Sequence, residues 1–168
     1  DIDVDENEDY YYAAGYFTRA HNQVVENAGR VSTAAGAALD SSWTFQHSFL
    51  IGKYQQTVTA RNGRVYFGGS QHSLFGYNPL DDPHLGSITM QNGGDVQAST
   101  RSATGVVYAS CHCSDFAFQA HHYLSLGTSW TRADEIQWVG GWDEATGRQI
   151  GWTPYRLGSL RSTGALGP

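Results

Sequence analysis

Short apolar and β-branched runs, separated by glycine and polar turns, organise the chain. Tyr10-Tyr11-Tyr12-Ala13-Ala14-Gly15-Tyr16-Phe17 is the first such run. Thr57-Val58-Thr59-Ala60-Arg61 follows, then Asn62-Gly63, then Arg64-Val65-Tyr66-Phe67-Gly68-Gly69. This pattern predicts two strands joined by a two-residue hairpin, because both central residues of a type I′ turn need positive φ. Ser73 to Tyr77 predicts a further strand, closed by Asn78-Pro79. Gly105-Val106-Val107-Tyr108-Ala109-Ser110 and Ile136 to Gly141 predict two more. Helical periodicity is weak throughout, so the expected class is all-β.

The runs share a frame. Gly63-Arg64-Val65-Tyr66 and Gly105-Val106-Val107-Tyr108 each set a turn glycine three residues before a tyrosine, with small residues after it, and Tyr12-Ala13-Ala14-Gly15 fits the same frame. The tyrosines recur roughly every 40–55 residues, the period of a propeller blade. Small residues after each tyrosine suit inner strands crowded near a propeller axis. The expected architecture is β-propeller-like, with about three to four blade units in residues 10–168. Since propellers usually have about four to eight blades, this segment is expected to belong to a larger propeller or to have its edges paired by another chain.

Composition adds limits. Residues 1–9 carry six carboxylates, at Asp1, Asp3, Asp5, Glu6, Glu8 and Asp9, which predicts a solvated acidic arm or linker. Asp-x-Asp-x-Asp also resembles the start of a calcium loop, although the glycine and distal glutamate of such a loop are missing. The net charge of −6, with scattered Arg and Lys, argues against a nucleic-acid partner. No apolar run approaches the ~20 residues of a membrane helix. The chain begins with Asp, not Met, and is expected to be a processed product or a piece of something longer.

The most unusual local composition is Asn92 to Cys113, which holds both cysteines of the chain. Cys111 and Cys113 flank His112, and three readings stand side by side: buried free thiols, an i,i+2 disulfide, or a zinc site completed by His121 or His122. Asp95, after Gly93-Gly94, either binds a sugar hydroxyl or cation or serves its own turn. His72, close to Ser70 and Ser73, invites a Ser-His hydrolase reading, but no Gly-x-Ser-x-Gly elbow accompanies it. A glycosidase needs two opposed carboxylates, and Asp95 with Asp115 is a candidate pair. Tyr123 and Trp130, in the expected loop from Ser114 to Asp134, are aromatic contact candidates.

Taken together, Ala14-Gly15-Tyr16-Phe17-Thr18, Arg64 to Leu74, Gly93-Gly94-Asp95-Val96-Gln97, Val107 to Cys113, Gly127 to Trp130 and Gly141 to Gly147 carry a resemblance. They resemble the β-propeller region of minor tail proteins of phages that infect actinobacteria, and of related prophage and surface proteins. That resemblance implies a non-enzymatic structural protein of the phage tail tip, located in the virion. Its implied partners are other tail proteins, with a host-envelope glycan as a further one, and it implies no cofactor. The alternative is a secreted actinobacterial carbohydrate-binding or glycoside-hydrolase-type propeller. Ligand-binding candidates are therefore Asp95, His72, Tyr123 and Trp130; metal or disulfide candidates are Cys111, Cys113, His121 and His122, with zinc or calcium as the ions.

Overall fold

A computed structural model describes residues 1–20, 22–40, 54–61, 63–70, 73–77, 84–91, 95–112, 116–121, 131–135, 138–144 and 150; for 73–77, 84–91, 116–121 and 131–135 the description is of backbone pairing. The strands are β1 (Ile2–Val4), β2 (Tyr10–Ala14), β3 (Arg19–Ala20), β4 (Gln23–Val24), β5 (Ala28–Ser32), β6 (Gln55–Arg61), β7 (Arg64–Gly69), β8 (Ser73–Tyr77), β9 (His84–Gln91), β10 (Val96–Arg101), β11 (Val106–Cys111), β12 (Phe116–His121), β13 (Thr131–Glu135) and β14 (Val139–Asp143). No helix occurs among the described residues, and every strand pairing is antiparallel. The protein is all-β. Its sheets run β1-β2-β5, β10-β11-β14, β13-β12-β9-β8-β7-β6 and β3-β4.

The β6–β7 hairpin lies between the two three-stranded sheets. Arg61 pairs with Arg64, and Gly63 sits at φ 67, as the Asn-Gly pattern requires; Asn62 itself lies outside the described residues. Alternation sends Val58, Ala60, Val65 and Phe67 to one face, where they pack with Tyr12, Ala14 and Ala28 of β2 and β5. The opposite face is polar. Thr57 and Thr59 hydroxyls bond the Ser99 hydroxyl of β10 at 2.9 and 2.7 Å, and the Ser99 amide donates to Thr57 Oγ1 at 2.9 Å. β6 keeps the alternation, Thr57 and Thr59 against Val58 and Ala60, with both faces buried. Gly68 is where the backbones close up: a Cβ there would stand 2.6 Å from Val96 Cγ1.

A second tie joins the same layers through charge. The Glu144 carboxylate accepts from the Tyr66 hydroxyl of β7 and from Arg101 Nε (2.8 Å) and Nη2 of β10, and it pairs with Arg64 at 3.2 Å. The Glu144 and Arg101 side chains are only 6% and 8% exposed. Burial alone would raise the Glu144 pKa. The hydrogen bonds from Arg101 and Tyr66 and the charges of Arg101 and Arg64 together outweigh it, and hold the carboxyl below its ordinary 4.5. The Tyr66 hydroxyl is pushed well above its usual range, first by burial and then by the Glu144 carboxylate.

The acidic start is not a free arm. Its residues are mostly exposed, yet Ile2–Val4 pairs with β2 in register, Ile2 opposite Ala13. Asp1 Oδ2 accepts from the Val58 amide at 3.0 Å, and Asp3 Oδ2 from the Ala60 amide at 2.8 Å. Both amides belong to β6, the edge of the six-stranded sheet, so alternate carboxylates of β1 cap an edge that would otherwise offer unpaired N–H groups. Asp5 instead binds its own loop, accepting from the Asp9 amide at 2.9 Å. The three carboxylates of the calcium-loop reading therefore serve different backbone donors. Self-repulsion predicted solvation; the backbone donors of β6 supplied the compensation.

The tyrosine repeat has a structural counterpart. Tyr12, Tyr66 and Tyr108 lie on β2, β7 and β11, each flanked by a partner strand on both sides. Gly63 and Gly105, three residues earlier, have φ of 67 and 82. In the first unit the left-handed residue is Glu8, at φ 59, four residues before Tyr12 rather than three.

Two stability outcomes are expected. Glu144→Gln leaves Arg101 buried without its counter-charge and lowers unfolding free energy by about 3 kcal/mol in urea titration. Because the folded Glu144 pKa is lowered, its contribution is present above the unfolded value and lost as pH falls through the folded one, so wild-type stability declines below about pH 4.5 and the glutamine variant lacks that component. Gly69→Ala places a Cβ against the Tyr54 carbonyl, which backbone cannot vacate cheaply; a loss of about 2 kcal/mol or more is expected in the same titration.

Candidate functional site

The surface with the most chemical variety lies where β6 and β10 begin and β11 ends. Asp95 precedes β10, and its carboxylate accepts from the Tyr54 hydroxyl and from Gln56 Nε2 at 2.8 Å. The Asp95 carbonyl accepts from the His112 amide at 3.2 Å. Gln97 Nε2 and His112 Nε2 stand 3.2 Å apart. Gln56 and Gln97 each sit at a register shift of their ladder, and Tyr54 and Gln56 meet at the Asp95 carboxylate. The Tyr54 hydroxyl is raised above its ordinary pKa, chiefly by its hydrogen bond to Asp95.

Tyr16 completes the surface. Its side chain is 86% exposed, and its ring meets Tyr54 edge-on, with centroids 6.2 Å apart and planes at 82°. The backbone that presents it is held on both sides. The Gly15 amide donates to the Asn27 carbonyl at 3.0 Å, and the Gly15 carbonyl accepts from the Gln55 amide at 3.1 Å. The Asn27 amide donates to the Phe17 carbonyl at 2.9 Å, and Asn27 Oδ1 accepts from the Phe17 amide at 3.3 Å. Asn27 is buried and takes φ 63, a conformation asparagine tolerates better than most residues. Tyr16 is thus an exposed aromatic on a fixed mount.

Chemically, such a surface is suited to binding. Aromatic faces offer apolar contact, while amide, carboxylate and imidazole groups offer planar donors and acceptors. As a general base Asp95 is already engaged by the Tyr54 hydroxyl and the Gln56 amide. Asp115, its partner in the paired-carboxylate reading, lies outside the described residues.

The other sequence candidates separate. His72, Tyr123, Trp130, Cys113 and His122 lie outside the described residues. His121 is the last residue of β12, where it pairs with Ser87 of β9 in a different sheet from the one that carries Cys111. Cys111 is fully buried and disulfide-bonded; Cys113 is the only other cysteine of the chain. Bridging replaces both the free-thiol reading and the zinc reading for Cys111, because a disulfide sulfur is no thiolate ligand. The chain leaves the ladder at Cys111, and the register shifts opposite it between Val96 and Ala98, so the bridge does not have to fit a regular strand. No group of three or more His, Cys, Asp or Glu side chains arranged to hold a metal occurs among the described residues.

Sequence reasoning singled out Asp95 but missed Tyr54, Gln56 and Gln97, and it noted Tyr16 only as part of the first apolar run. The available signal was weak: Gly15 before Tyr16 marks a turn, where an aromatic side chain is free to point outward.

A concavity of about 160 Å³ lies between the acidic loop and the β6–β7 turn, lined by Asp9, Tyr10, Arg30, Arg61 and Arg64 among others. Arg30 is held there by Asp40 at 2.6 Å and stacks over the Tyr10 ring at 4.5 Å. Burial would lower the Arg30 pKa, but Asp40 and the Tyr12 hydroxyl raise it overall.

No protein-family model matches the chain, and no curated protein sequence matches it. The site is therefore read from its own chemistry.

The disulfide has a direct check. Without reductant, iodoacetamide is expected to label neither cysteine in the denatured protein, and after reduction mass spectrometry should show two added groups. Labelling before reduction would refute the bridge.

Proposed function

We propose that the protein is a non-enzymatic structural and attachment module of a phage tail tip, built as a segment of a propeller and acting in adsorption to the host envelope. The observation that carries this reading is the Tyr16–Tyr54–Asp95 surface: an exposed aromatic group and planar polar side chains on a hydrogen-bonded mount, arranged for contact. The Asp95 carboxylate is engaged by two donors, which suits a binding role better than proton transfer.

Propeller organisation is supported by the recurring frame in which a left-handed turn residue leads into a central, tyrosine-bearing strand with a partner on each side. The resemblance of the sequence to actinobacteriophage minor tail proteins supplies the virion setting and the other tail proteins as partners. A secreted carbohydrate-binding propeller would use the same contact surface, and would differ in being released alone rather than built into a particle.

Co-sedimentation of the purified protein with isolated actinobacterial cell envelopes tests the reading. Saturable binding without release of reducing sugar is expected. Release of reducing ends that stops on Asp95→Asn would replace it with a glycosidase, and absence of binding to envelopes from a range of actinobacteria would remove the attachment role.

A further inference from the structure

We propose that the chain associates head to tail with a second copy of itself: the Tyr108 face of one copy's β10–β11–β14 sheet receives the Ile2–Val4 face of the other's β1–β2–β5 sheet. This goes beyond the attachment reading and does not depend on it.

The same contact occurs twice inside the molecule. Three units share one register: Tyr12 of β2 stands opposite Asp3 of β1, Tyr66 of β7 opposite Thr59 of β6, and Tyr108 of β11 opposite Thr100 of β10. Directly opposed residues share a face, and their chain neighbours take the other one. The tyrosine face of the first unit, with Tyr12 and Ala14, packs on Val58, Ala60, Val65 and Phe67. Those four lie on the face of the second unit away from Tyr66. The tyrosine face of the second unit turns in the same way to the third. Thr57 and Thr59 meet Ser99, and a Cβ on Gly68 would stand 2.6 Å from Val96 Cγ1. Val96 and Ser99 pair with Cys111 and Ala109, on the face away from Tyr108. Each time, a tyrosine face meets the opposite face of the next unit.

Two faces of this series meet no further unit among the described residues. One is the tyrosine face of the third unit, with Ala98, Thr100, Tyr108 and Ser110. Ala98 and Thr100 are exposed, and the face holds a mostly apolar depression of about 270 Å³. Tyr12 and Tyr66, on covered faces, are 2% and 7% exposed, whereas Tyr108 is only partly buried. Ile150, 41% exposed, lies beside the Tyr108 ring over Gly141 and adds apolar surface. The other is the face of the first unit away from Tyr12, where Ile2 is 67% and Val4 39% exposed. Large apolar side chains in water on an edge strand mark a surface that another surface covers. The two faces match. Ile2 and Val4 flank the residue opposite Tyr12, as Val58 and Ala60 flank the residue opposite Tyr66. The residue two beyond each tyrosine is small, at Ala14, Gly68 and Ser110, so a branched side chain can approach there as Val96 approaches Gly68. A copy that lays Ile2 and Val4 on the Tyr108 face therefore repeats what Val58 and Ala60 do on the Tyr12 face. Each chain offers each face once, so the contact is heterologous.

Sedimentation velocity of the whole chain over a range of concentrations tests this. Reversible association is expected, with a dissociation constant of about 100 µM or tighter. Ile2→Arg blocks one face and Ala98→Arg the other, both at exposed positions, and each should weaken association about tenfold or more with circular dichroism unchanged. Thr100→Arg repeats the second test at a neighbouring exposed position. An equal mixture of Ile2→Arg and Ala98→Arg should pair with wild-type affinity and stop at the dimer, because one intact interface remains. Val24→Arg, at a 72% exposed apolar position outside both faces, should associate as wild type. A chain that stays monomeric up to about 1 mM would overturn the proposal and leave these faces to a different chain. Association that survives the arginine variants, or a mixture of folded variants that fails to pair, would overturn it as well.

Discussion

A single buried carboxylate ties the layers of this protein together. Glu144 follows β14, yet its partners come from β7 (Tyr66 and Arg64) and β10 (Arg101). A carboxylate this enclosed is tolerated only when cations and donors replace the water it has lost. Those partners fix the relative position of two sheets that have no backbone ladder between them. Gly105 belongs to the same arrangement: its carbonyl accepts from the Glu144 amide at 2.9 Å, and its φ of 82 turns the chain between β10 and β11.

The β6–β7 hairpin is the element on which that network and the apolar core both bear. One face excludes water with Val58, Ala60, Val65 and Phe67; the other carries threonine hydroxyls that meet Ser99. A hydroxyl buried without a partner is costly, so the Thr–Ser contacts define which residues of β10 lie against β6. The apolar face sets little register, since hydrophobic contact is non-directional; the polar face sets it. The N-terminal strand then seals the outer edge of β6 through Asp1 and Asp3.

The contact surface depends on this framework. Tyr54 and Gln56 are fixed by the start of β6, and Asp95 and Gln97 by the start of β10, so the register that the Ser99 contacts impose also aligns the four side chains. Cys111, disulfide-bonded and the last residue of β11, immediately precedes His112, whose amide bonds the Asp95 carbonyl.

From local pattern alone came the all-β class, the Asn62-Gly63 hairpin and the tyrosine frame, because turn chemistry and period-2 alternation act over a few residues. Asp95 was visible for the same reason, as a carboxylate after a diglycine. Tertiary structure decided the rest. The carboxylates of residues 1–9 repel one another in isolation, and only the amides of β6, more than fifty residues away, turn Asp1 and Asp3 into edge caps. Whether Tyr16 faces core or water depends on the Asn27 and Gln55 contacts that orient its backbone. Glu144 lay unremarked within the Gly141 to Gly147 stretch; its role exists only where Arg101, Tyr66 and Arg64 converge. Patterns of neighbours specify strands, whereas compensation of buried charge and of strand edges needs partners that the chain brings together only on folding.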